Sequence, residues 1–142
     1  MIIVVSGGFD PLHSGHINMF KQANELGRPI WLLLNTDEWL QKKKGYNFLS
    51  YKEREIILRS NRFIDRVIKA KDNNDTVVNN LKEFVKNGLE FAFANGGDRI
   101  PTTTPEMAYC FEHNIPMLFN IGGVKTESSS KIIRNLLDQA TK

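Results

Sequence analysis

With 142 residues, a net charge of +3 and a balance of 41% hydrophobic to 25% charged residues, the chain has the make-up of one globular domain rather than of a disordered or fibrous protein. Its single cysteine, Cys110, excludes an internal disulfide and suits a reducing cytosol. The positive charge favours anionic ligands, but apart from "QKKKG" (Gln41–Gly45) the lysines and arginines are scattered, which argues against a nucleic-acid-binding stripe.

In chain order, "IIVVS" (Ile2–Ser6) reads as a strand and Ser14–Leu26 as a helix without a regular apolar stripe. "IWLLLN" (Ile30–Asn35) is the next strand, followed by a helix over Tyr51–Asn61, where Ser50 stands ahead of Glu53 at capping-box spacing. "DRVIKA" (Asp65–Ala70) is a third strand. Val77, Val78, Leu81, Phe84 and Val85 then line one helical face, stopped by Asn87-Gly88. "EFAFAN" (Glu90–Asn95) and "PMLFNI" (Pro116–Ile121) are the last strands, and "RIPTTTPE" (Arg99–Glu106) between them reads as a Pro/Thr-rich loop. Ile132, Ile133, Leu136, Leu137 and Ala140 give a final helix, with serines in front able to cap it.

No apolar run approaches the about 20 residues of a membrane span, and Met1 leads straight into a strand, so we expect no membrane segment and no signal peptide. Most strands are apolar on consecutive residues, which suits burial on both faces. Alternation of strand and helix predicts an α/β fold: a single-domain, Rossmann-like, doubly wound five-stranded parallel sheet. Ligands of such sheets bind beyond the carboxyl ends of the strands, which directs attention to the segments after Ser6, Asn35, Asn95 and Ile121.

The first of these is "SGGFDPLHSGH", Ser6–His16. Gly7 and Gly8 permit a tight turn and close backbone approach, and Ser14 and Gly15 open a helix whose amides attract a phosphate. His13 and His16 share one face of the turn and add two donors. Neither the dinucleotide fingerprint nor the P-loop pattern is present, so phosphate binding here has to use the histidines. Three ordinary alternatives stand beside this reading: a metal pair, two histidines capping a turn, and a chance glycine-rich turn. The metal pair has no visible partner cluster, His113 being the only other histidine.

Five stretches together carry a family resemblance. "GGFDPLHSGH" resembles the signature of the HIGH-motif nucleotidyltransferases, and "NTDEWLQKKKG" is similar to the second-strand segment of their cytidylyltransferase-like branch. That branch includes glycerol-3-phosphate cytidylyltransferases and heptose-1-phosphate adenylyltransferase domains. "YKEREIILRSNRFIDRVI" resembles its third helix and strand, "NGGDR" the G-G-D loop of the heptose group, and "ESSSKIIR" the segment opening the last helix. Where the glycerol-3-phosphate enzymes have R-T-E-G-I-S-T, however, this chain has "GGVKTESSS".

The resemblance implies transfer of CMP or AMP from CTP or ATP to a small phosphorylated alcohol or sugar, with release of pyrophosphate. His13, His16 and Lys44 are then the catalytic candidates, with Lys43 as the substitute for Lys44; three successive lysines otherwise read as a solvated face. Gly8, Phe9, Asp10, Gly96, Gly97, Asp98, Ser128, Ser129 and Ser130 are the nucleotide-binding candidates. Asp10 has two further readings, orienting His13 or holding Mg²⁺. Arg54 and, more weakly, Arg62 and Asp37 are candidates for the acceptor, Thr36 and Asp37 ending the second strand; Trp31 and Trp39 read as packing. The resemblance also implies Mg²⁺ with the triphosphate, no protein metal site, a cytoplasmic location and a homodimer. Two alternatives remain: an adenylyltransferase acting on a flavin nucleotide or pantetheine phosphate, and a nucleotide-binding regulator without turnover.

Overall fold

Every residue of β1 (Ile2–Gly7) has a pairing partner in one or both neighbouring strands, because β1 lies at the centre of the sheet. The computed structural model describes residues 1–96, 104–121 and 129–140. Its further elements are α1 (Ser14–Glu25), β2 (Ile30–Leu34), α2 (Asp37–Lys44), α3 (Tyr51–Arg59), β3 (Arg66–Lys69) and α4 (Val78–Lys86). They continue with β4 (Phe91–Gly96), α5 (Pro105–Glu112), β5 (Met117–Ile121) and α6 (Ser129–Ala140). The five strands are parallel and ordered β3-β2-β1-β4-β5. The doubly wound parallel sheet expected from the strand runs is therefore what the chain forms.

Alternation along β1 divides the core. Ile3 and Val5 join Phe20 and Ala23 of α1, Leu58 of α3 and Leu32 of β2 in one buried cluster. Val4 faces the other way, joining Leu81 and Phe84 of α4, Cys110 of α5 and Phe93 of β4. Burying such a side chain contributes about 1.5–3 kcal/mol, so both faces of the sheet drive folding. The connection from β3 to β4 crosses to the far side of β1, and right-handed crossovers then put α4 and α5 opposite α1 and α3. Between β1 and β4, connections leave to opposite faces, and the site is expected at their carboxyl ends. Among the described residues, no helix is long and apolar enough to cross a membrane.

Two helices correct the sequence reading. β2 ends at Leu34, and Thr36 and Asp37 belong to the start of α2 rather than to the strand. Thr36 caps α2, its Oγ1 accepting the Trp39 N–H at 3.2 Å, with acidic residues in the first turn, lysines in the last and Gly45 at φ 84° as the stop. These are ordinary helix signals, but Leu40 is the only buried residue of α2, so it has no apolar stripe to read. Likewise α5 starts at Pro105, inside the stretch read as a loop, with Thr104 as its cap and proline in the first turn.

Candidate active site

The turn after β1 is held by steric fit on both sides. A Cβ on Gly8 would come within 2.6 Å of Leu40 Cδ2, and Leu40 is completely buried. Phe9 follows at φ 50°, a left-handed conformation uncommon outside glycine, and its ring is buried edge-on to His16 at 4.8 Å and beside Phe20. Asp10 is 1% exposed, and its two carboxylate oxygens accept the N–H groups of Phe48 (2.5 Å) and Leu49 (2.6 Å). Phe9 and Asp10 are nucleotide-binding candidates, and their side chains are buried. Both turn into the protein, where they shape and anchor the turn.

His13 and His16 start α1. His13 is the N-cap residue, its Nδ1 accepting the Gly15 N–H at 3.1 Å, and His16 reaches back so that its Nδ1 accepts the His13 N–H at 3.2 Å. This is a capping box built from two imidazoles in place of the usual hydroxyl and carboxylate. The rings stack with centroids 3.8 Å apart. Because each Nδ1 offers its lone pair to an amide, the proton of each neutral ring sits on Nε2. Capping and phosphate binding are therefore compatible here: the cap occupies Nδ1, and Nε2–H is the other donor of each ring at the positive end of α1, that of His13 being buried.

The carboxyl end of β2 supplies the second wall. Lys42 pairs with Asp75 at 2.8 Å and Lys43 lies over the Trp39 ring at 4.6 Å. Lys44 is half-buried at the end of α2 and, among the described residues, makes no ion pair, hydrogen bond or ring contact through its side chain.

Arg54 and Asp37, the acceptor candidates, pair with each other. The Arg54 side chain has no exposed surface and its Nη2 pairs with Asp37 at 2.7 Å, while its other donors reach backbone carbonyls. Arg62, the weaker acceptor candidate, stacks over Phe63 at 4.9 Å. Gly96 is the last residue of β4, and Ser129 and Ser130 are the first two of α6. Gly97, Asp98 and Ser128 lie outside the described residues.

The sequence reading overlooked Asp72. Buried after β3, it accepts the Asn35 Nδ2, Thr36 backbone and Thr36 hydroxyl hydrogens, each at 2.9 Å, and so ties the ends of β2 and β3 together. Its only signal was an acidic residue in the segment after a strand. Next to it, a cavity of about 630 Å³ is bounded by Trp39, Lys42, Lys71, Asp72, Asp75 and Asn79, among others. Among the described residues no group of three or more His, Cys, Asp and Glu can hold a metal ion. With both Asp10 oxygens on backbone amides, Asp10 does not fit the role of a Mg²⁺ ligand.

A doubly wound α/β sheet, whose central strand ends in a glycine turn and a helix N-terminus carrying two imidazoles, is the build of a phosphate-handling class of domain. Within that class the chain belongs to the cytidylyltransferase-like family, whose model matches residues 4–135. It is 33% identical over 87 residues to the glycerol-3-phosphate cytidylyltransferase of Bacillus subtilis (strain 168), a match covering 58% of this chain and 67% of that protein. It is 40% identical over 67 residues to the FAD synthase of Pyrococcus abyssi (strain GE5 / Orsay), covering 46% of this chain and 45% of that one. The glycerol-3-phosphate cytidylyltransferase of Staphylococcus aureus (strain NCTC 8325 / PS 47) is matched over 52% of its length, so the chain spans only about half of some of these relatives. In fold, the chain is similar to the lipopolysaccharide core biosynthesis protein from Thermoplasma volcanium GSS1, with a TM-score of 0.68, 17% identity and coverage of 88% of this chain and 98% of that one.

Proposed function

We propose that the protein transfers CMP or AMP from CTP or ATP to a small phosphorylated alcohol or sugar. A phosphate oxygen of the acceptor attacks the α-phosphorus, the bond from that phosphorus to the bridging oxygen of the β-phosphate breaks, and pyrophosphate leaves with the electron pair. No protein nucleophile takes part, so catalysis consists of positioning and of stabilising charge. The observation that carries this reading is the imidazole capping box, which turns the Nε2–H of both His13 and His16 into preset donors at the N-terminus of α1. They meet the α-phosphate oxygens as negative charge grows there, a contribution of about 2.7–4 kcal/mol for one such donor. Lys44 receives triphosphate or acceptor phosphate, and the cavity beside Asp72 has the volume for a small acceptor. The glycines and aspartate at Gly96, Gly97 and Asp98 serve the nucleoside, and Ser128, Ser129 and Ser130 the terminal phosphates. Mg²⁺ arrives with the triphosphate, and the enzyme works as a homodimer in the cytoplasm.

The similarity to FAD synthase, and to a bifunctional phosphopantetheine adenylyltransferase/NTP phosphatase of Thermoplasma volcanium that is 35% identical over 80 residues, supports a second reading. In it AMP goes to a flavin nucleotide or pantetheine phosphate. A grid of four nucleoside triphosphates against sugar phosphates, glycerol 3-phosphate, FMN and pantetheine phosphate, read as pyrophosphate release with Mg²⁺, separates the two. We expect release with CTP or ATP and one acceptor class. Nucleotide binding without release from any pair would sink both in favour of a regulator.

A further inference from the structure

We propose that Arg54 is a positioning residue for the transfer reaction, holding the histidine-bearing turn in register with the segment that follows Lys44; this rests on the nucleotidyl-transfer reading above. The Arg54 side chain reaches four acceptors from a position with no exposed surface. Nη1 donates to the Gly8 carbonyl (3.0 Å) in the turn after β1 and to the Asn35 carbonyl (2.7 Å) at the end of β2. Nε donates to the Leu49 carbonyl (3.1 Å) between α2 and α3, and Nη2 to Asp37 Oδ1 (2.7 Å) in the first turn of α2.

Asp10 completes a circuit. It accepts the Leu49 N–H, so the backbone of Leu49 is gripped at its N–H by the turn after β1 and at its carbonyl by Arg54, which also holds that turn at Gly8. The same turn leads into His13, and the same segment begins where α2 ends at Lys44. The two walls of the site are therefore fastened to one guanidinium. No other side chain presents five donors in a planar fork, and a lysine ammonium cannot span these four acceptors. Arg54 touches no substrate on this account; it acts through Gly8 and Leu49. Loosening either contact lets the histidines drift relative to the lysine, and a displacement of about 1 Å in such a site costs up to about a hundredfold in rate.

The test compares Arg54→Lys with Leu81→Ala, a cavity variant in the opposite layer of the core that lowers stability without touching the circuit. Both are assayed well below their own melting temperatures. We expect Arg54→Lys to lose about tenfold or more in kcat while KM for the triphosphate moves less than about threefold, and Leu81→Ala to keep its kcat. Side-chain nitrogen NMR shifts of His13 and His16, and hydrogen exchange at the Leu49 amide, give a readout independent of turnover. Both change in Arg54→Lys and stay put in Leu81→Ala. If Arg54→Lys does not fold, Asp10→Asn breaks the same circuit from the other side, with the same expected signs. Unaltered kcat together with unshifted histidine nitrogens in the folded variant overturns the proposal. If the wild type releases pyrophosphate with no acceptor, the functional reading falls by itself, and the histidine shifts still decide whether Arg54 positions the turn.

Discussion

On the proposed function each histidine of the turn has two nitrogens with two separate tasks, and substitution can separate them. His13→Asn keeps an acceptor near the position of Nδ1, and asparagine is among the best N-caps, so stability should hold within about 0.5 kcal/mol. It removes the Nε2 donor, and kcat should fall by about 10²–10³. His13→Gln does the opposite: its amide reaches toward the Nε2 position, but the cap is lost, at a cost of about 1 kcal/mol. Urea unfolding and pyrophosphate release, measured on both variants, read the two tasks separately. An asparagine variant with wild-type turnover would remove His13 from the mechanism. The glycine turn and the histidine pair at the start of a helix were legible from "SGGFDPLHSGH" itself, since they depend on neighbouring residues. That the cap occupies Nδ1 of both rings became visible only with the hydrogen bonds in place.

At the level of elements, α2 sets the surroundings of the three candidate lysines. It is short and buries only Leu40, and its lysines leave the last turn in different directions. Lys42 is drawn to Asp75 and Lys43 to the Trp39 ring, so Lys44 is the cation without such an anchor among the described residues. Lys44→Ala should therefore lower kcat/KM by about tenfold or more, in line with a lost charge-assisted contact to phosphate. Lys43→Ala should cost less, and equal losses in steady-state kinetics would contradict the assignment. From the sequence, "KKK" distinguishes none of the three, because the partners that claim two of them lie on other turns and another loop. The start of α2 is also where Gly8 and Leu40 pack, so a helix without an apolar stripe still fixes the shape of the histidine turn.

For the whole molecule, Cys110 reports on the integrity of the core. It is buried among Val4, Leu33 and Phe93 between α5 and the sheet, and burial, with Glu106 nearby, pushes its thiol up to about 11 from an ordinary 9.0. The folded protein thus keeps a proton that the unfolded chain releases. Stability from this group is complete below about pH 9 and is lost as pH rises from there through about 11. Urea midpoints of wild type and Cys110→Ala, followed from pH 7 to 11, should converge at the alkaline end, and parallel curves would refute the linkage. Thiol labelling at neutral pH should likewise follow global unfolding rather than local opening.

The sequence by itself determined the strand runs, the burial of the sheet on both faces, the glycine turn and the histidine pair that follows it. Each depends on residues a few positions apart, where periodicity and backbone preference act directly. Only the tertiary structure decided that Arg54 and Asp37 pair with each other, that Asp10 anchors the segment before α3, and that Asp72 joins two strand ends. Those bonds cross 17 to 46 positions of chain. A buried charge takes whichever partners packing brings within reach, because leaving it unpaired costs more than any local preference returns.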